Sequence, residues 1–116
     1  MAVFARPEKQ AASVMRKLIR EHIQLDGKAW DFNKCYVQVT AYIKERRMGG
    51  LRDITPAGAL EYLEHRALVV DQATLDIERK ALQTMMRYVT HKLDEHEVLG
   101  RVQARLPAPA LFPSGK

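Results

Sequence analysis

Arg79, Gln83, Arg87 and His91 recur at four-residue steps within DQATLDIERKALQTMMRYVTHKL, the segment from Asp71 to Leu93, with Lys80 beside them. On a helix, four-residue steps stack side chains along one side. Arginine and lysine bring positive charge and several donors; glutamine brings a donor and an acceptor on one planar group. Lys34 and Gln38 repeat the combination earlier in the chain. Such a set suits an anionic, hydrogen-bonding partner. Duplex DNA uses both classes: cations neutralise phosphates and release counterions, while Arg, Gln and Asn reach base edges in a groove that admits a helix. An ordinary solvated face has the same composition, because long Lys and Arg chains also shield the edges of a core.

Other chemistries find little footing. The histidines are His22, His65, His91 and His96, with no pair at i, i+4 and no HExxH. The single cysteine, Cys35, cannot anchor a thiolate metal site or a disulfide framework, and its apolar neighbours suggest a small core residue. There is no GxGxxG, no P-loop and no Gly-x-Ser-x-Gly. The carboxylates are scattered over helix surfaces and do not pair in an apolar pocket. No catalytic residue, metal or cofactor is expected.

Nineteen Lys plus Arg against fourteen Asp plus Glu give a formal charge of +5, which favours polyanionic partners. A hydrophobic fraction of 47% in 116 residues is enough for one packed domain. No window resembles a membrane helix, and MAVFARPEKQ lacks the apolar core of a secretory signal, so a cytoplasmic protein with no membrane partner is the default.

The elements that must position these residues read as helices. Pro7 begins the first, which runs to about Leu25 with Ala12, Met15, Ile19, His22 and Ile23 inward and Asp26-Gly27 as its stop. Trp30 to Arg47 is the second, with Asp31 as its cap and Cys35, Val39, Tyr42 and Ile43, widened by Phe32 and Tyr36, as its apolar stripe. The β-branched run over Cys35 to Thr40 also admits a strand, but the stripe lasts about four turns at helical period. Ile54-Thr55-Pro56 is the sharpest local signal: Thr55 caps and Pro56 opens a third helix to about Leu68. Its Ala59, Leu60, Leu63 and Ala67 face inward, and Glu61, Glu64, His65 and Arg66 face out. The fourth helix is the Asp71–Leu93 segment, with Leu75, Leu82, Met85, Met86, Val89 and Leu93 as its core stripe. Asp94 to Leu106 suggests a short fifth helix carrying Val98, Leu99 and Val102, weakened by Gly100. The expected fold is all-α, a small four- to five-helix bundle over residues 1–106, followed by a Pro-rich flexible tail at 107–116.

The run ITP…ALEYLEHRA…VVDQATLDIERKALQTMMRYV resembles the core-binding domain of phage-type tyrosine recombinases (integrases), an all-α module of SAM-like topology. The likeness lies in the succession: an amphipathic helix with aromatics (Trp30 to Arg47), a short helix opened by Ile54-Thr55-Pro56, then Gln72, Thr74, Arg79 and Leu82 in the long helix. It spans about Trp30 to Leu93. The resemblance implies a module that clamps one face of double-stranded DNA, with its second and fourth helices in or near the major groove and a separate catalytic domain on the opposite face. It assigns Gln72 and Thr74 to phosphate near a helix N-terminus. Arg79, Lys80, Gln83 and Arg87 become the groove-facing set, joined by Lys34 and Gln38, with His91 closing the stripe. Other recombinase protomers on DNA are implied as further partners, with a monomer in isolation.

The family's catalytic pattern is not here: no histidine is followed three residues on by Arg, and the tyrosines Tyr36, Tyr42, Tyr62 and Tyr88 fall within helices. The 23 residues after Leu93 are too few for a catalytic domain, so DNA positioning without strand cleavage is expected. Two alternatives stay open on the residues alone. One is a helical module that docks a protein partner, using the acidic side of the third helix. The other is a helix-turn-helix regulator built from Pro56–Leu68 and Asp71–Leu93.

Overall fold

The computed structural model describes residues 5–105. They form an all-α bundle of four helices: α1 Pro7–Arg20, α2 Ala29–Glu45, α3 Pro56–Arg66 and α4 Gln72–Tyr88, with a 3₁₀ turn at Leu51–Asp53. Among the described residues there is no strand, so the β-branched run of α2 is helical. No described helix is long and apolar enough to cross a membrane.

α2 is the central element and packs against both α1 and α4. Phe32, Cys35, Tyr36, Val39 and Ile43 are buried along it. Two side chains peg it to α4: the Tyr36 hydroxyl donates to the Ala81 carbonyl at 2.7 Å, and Cys35 Sγ lies 3.8 Å from the Glu78 carbonyl. These reach α4 backbone oxygens without breaking the helix, because a carbonyl has a second lone pair. Burial pushes the Cys35 thiol well up, helped by the Glu78 charge, so it stays protonated as a core residue. Tyr42, expected in the core stripe, is only half-buried; it packs edge-on against Tyr62 and carries Arg46 over its ring.

The start of α3 follows its sequence signal. Thr55 Oγ1 accepts from the Gly58 N–H at 3.0 Å, and Pro56 occupies the first turn. The core stripe expected of the fourth helix is buried, at Leu75, Leu82, Met85 and Met86 within α4 and at Val89 and Leu93 past its end, which comes at Tyr88 and not at Leu93. Asp71 caps α4, its carboxylate accepting from the Thr74 N–H at 2.9 Å.

Three other expectations need correction. α1 ends at Arg20, before Leu25, and buries Ala11, Val14, Met15 and Leu18; Ile19 is 59% exposed and His22 is exposed. The turn residue is His22 itself, at φ 58, with His22 N–H bonded to the Ile19 carbonyl and Ile23 N–H to the Leu18 carbonyl. That 5→2 and 6→1 pair stops the helix five residues before Gly27. α2 ends at Glu45 in a turn of the same kind, with Arg47 at φ 56, and its N-cap is Lys28 with no side-chain bond, leaving Asp31 inside the first turn. The fifth helix is absent: residues 94–105 run as turns and extended chain, with Leu99 and Val102 buried and Val98 exposed.

Candidate nucleic-acid interface

α2 and α4 lie side by side and leave a depression of about 120 Å³ between them, lined by Asp31, Lys34, Cys35, Gln38, Arg66, Thr74, Ile77 and Glu78. A second depression, of about 430 Å³, adjoins it across Ile77 and is lined by Lys28, Asp76, Arg79, Lys80 and Gln83. Six of the nine residues assigned to DNA contact therefore border one continuous surface: Lys34, Gln38 and Thr74 in the first hollow, Arg79, Lys80 and Gln83 in the second.

Lys34 is exposed, with its ammonium 5.1 Å from the ring centre of Trp30, itself 70% exposed. A cation over an exposed indole puts charge and a stacking surface at one place. Lys80 is half-exposed and pairs with Asp26 at 2.6 Å. The Lys80 ammonium holds the Asp26 carboxyl below its ordinary range, chiefly through the hydrogen bond. A pair this exposed contributes little to stability and is open to exchange for a phosphate.

Beneath the first hollow lies a feature the sequence pattern missed. Glu78 falls on the apolar stripe of α4, between Leu75 and Leu82, and its side chain is only 6% exposed. Arg66, expected to face out, reaches back to it: Nε to Oε1 at 3.0 Å and Nη2 to Oε2 at 2.8 Å. This fork-on-fork bond fixes α3 to α4 and raises the Arg66 pKa. The signal was present: a carboxylate at a core position demands a partner.

The remaining assigned residues have other neighbours. Gln72 is engaged with residues 94–105: its Nε2 donates to the Val102 carbonyl at 3.0 Å and its Oε1 accepts from the Ala104 N–H at 2.8 Å. Thr74 gives its N–H to Asp71, so the N-terminus of α4 already holds a carboxylate; the bond from that N–H, then one from the Thr74 hydroxyl, keeps Asp71 below its ordinary range. Arg79 Nη1 donates to the Leu99 carbonyl at 3.2 Å, and Gln83 Oε1 accepts from the Leu99 N–H at 2.9 Å. Arg87 donates to the carbonyls of Asp94 and Glu97. His91 is exposed beyond the end of α4, at φ 54. Arg79, Gln83 and Arg87 thus share one face of α4, His91 lies beyond that helix, and most of the face lies under residues 94–105.

No family model, curated protein or solved structure matches this chain. Its fold and surface therefore stand on their own chemistry. Among the described residues, no group of three His, Cys, Asp or Glu side chains is placed to hold a metal ion.

Proposed function

We propose that this chain is a non-catalytic duplex-DNA-binding domain of the kind that seats a tyrosine recombinase on its core site. The observation that carries the reading is the α2–α4 surface, where Lys34, Gln38, Thr74 and Lys80 meet across Ile77, with Lys28 at the edge. Two helices side by side offer cations for phosphates, Lys28 and Lys80 at one hollow and Lys34 at the next, and an amide, Gln38, one turn beyond Lys34 for a base edge. The net charge of +5 adds a sequence-independent attraction to a polyanion. In this reading the domain positions DNA, and bond cleavage belongs to a catalytic domain of the parent recombinase. The helix-turn-helix alternative has less geometric support, since its recognition helix would have to offer the α4 stripe that residues 94–105 cover.

Fluorescence anisotropy with a labelled mixed-sequence duplex tests the proposal. Binding is expected at about 50 mM salt and should fall steeply by about 200 mM. Lys34→Glu and Lys80→Glu should each weaken it, and Glu64→Gln on α3 should not. Absence of binding at low salt, or indifference to both charge reversals, would overturn the reading.

A further inference from the structure

Residues 94–105 follow α4 back toward its N-terminus and meet almost every polar group on one side of it. Arg87 holds the carbonyls of Asp94 and Glu97, Arg79 and Gln83 grip both sides of Leu99, and Gln72 clasps Val102 and Ala104. Arg101 forks onto Asp76, and Arg105 donates its N–H to the Ala67 carbonyl at 2.7 Å. The segment has no regular secondary structure, and only Leu99 and Val102 are buried in it beyond Leu93.

The electrostatics of this contact are incomplete. Arg79 and Arg87 meet neutral carbonyls, and neither has a carboxylate within 4 Å among the described residues. Arg79 Nε is buried with no hydrogen-bond partner among them. The segment therefore meets both guanidinium groups with neutral oxygens; the carboxylate that feels the Arg79 charge is Asp76 of α4, and the segment's own Arg101 holds it. A neutral carbonyl serves an arginine less well than an anionic oxygen does. A dozen ordered residues held by two buried apolar side chains and exposed polar contacts belong to the low-stability end of a structure.

We propose that residues 94–105 are an autoinhibitory strap, which seals the Arg79–Gln83–Arg87 stripe of α4 and, when displaced, extends the DNA-binding surface onto it. The stripe borders the open hollow through Arg79 and Gln83, so displacement enlarges one surface and does not create a second. The strap mimics a ligand with main-chain carbonyls where DNA offers phosphate and base oxygens. This inference rests on the DNA-binding reading and adds its regulation.

The test uses the full chain with Leu99→Ser and Val102→Ser, which weakens the strap and leaves every polar group of α4 in place. Hydrogen exchange at the Ala104 and Arg105 amides reports release, while protected core amides of α2 report an intact bundle. Duplex affinity should rise roughly three- to tenfold at low salt. The log–log salt slope should steepen by about 2 as Arg79 and Arg87 join the contact. Gln72→Ala, which breaks the clasp from the helix side, is the milder second variant and should shift both readouts the same way. A released strap with unchanged or weaker binding overturns this inference alone. Failure of both the wild type and the released variants to bind duplex DNA overturns the DNA reading together with it.

Discussion

The outer face of α2 and the polar stripe of α4 use the same residue types. Lys34 and Gln38 stand on one, Arg79, Gln83 and Arg87 on the other. On α2 they border an open hollow beside an exposed tryptophan. On α4 they hold the backbone of residues 94–105. Spacing puts side chains on a face; it says nothing of what covers the face. The same Arg and Gln donors that suit a base edge also suit a peptide bond, because both present carbonyl-type oxygens and N–H groups in a plane.

The largest effect is expected at the hollow itself, where the Arg66–Glu78 fork holds α4 to α3. Arg66→Ala leaves the Glu78 carboxylate buried without its partner and should cost about 3 kcal/mol in urea unfolding. A loss under about 1 kcal/mol would mean that the pair is only decorative. A finer test sets one glutamine against the other. Gln83→Ala removes the acceptor for the Leu99 N–H and should cost about 1 kcal/mol while speeding exchange of that amide. Gln38→Ala, on the open face, should change stability by less than about 0.5 kcal/mol and act on DNA affinity instead. Equal stability effects would erase the distinction between the faces.

Asp71→Ala probes the N-terminal edge of the α4 face and should lower stability near neutral pH by removing the cap on the Thr74 N–H. The Asp71 carboxyl is held below its ordinary value by the Thr74 N–H. Its contribution is therefore fully present above the ordinary aspartate value, about pH 4, and is lost as pH falls through the depressed folded value. The gap between wild type and variant should close in that acid range; a gap constant from pH 7 to pH 2 would contradict the assignment. The smallest effect lies away from both faces. His22→Gly relieves a non-glycine residue in left-handed backbone and should stabilise the bundle by about 0.5–1 kcal/mol in thermal unfolding.

Much of the bundle is legible from residue pattern. Thr55-Pro56 defines the start of α3, and the stripe from Leu75 to Met86 defines the buried side of α4, because caps and periodic burial are local rules. α1 shows where local rules mislead. Two apolar series run through it one residue out of phase, and the longer one, ending at Ile19 and Ile23, lost to Val14 and Leu18 once α2 was in place. The end of α1 at His22 was hidden because glycine, the usual signal, stands farther on at Gly27. The spacing of Val98, Leu99 and Val102 suggests a helix, but the chain there is irregular and buries Leu99 and Val102 through contacts with α4 that no local period encodes. At the candidate site, residue type singles out Lys34, Gln38 and Lys80 and the resemblance adds Thr74, and the structure sets these four beside two adjoining hollows. The Arg66–Glu78 fork and the strap were not legible, since both depend on chain segments that meet only in the folded molecule.

The central claim is that DNA meets the α2–α4 face. Amide NMR of the full chain during titration with a duplex at low salt tests it most directly. The account predicts shifts centred on Lys34 to Gln38, Thr74, Ile77 and Lys80, with Glu61 of α3 unmoved. Shifts confined to α3, or none at all, would contradict it.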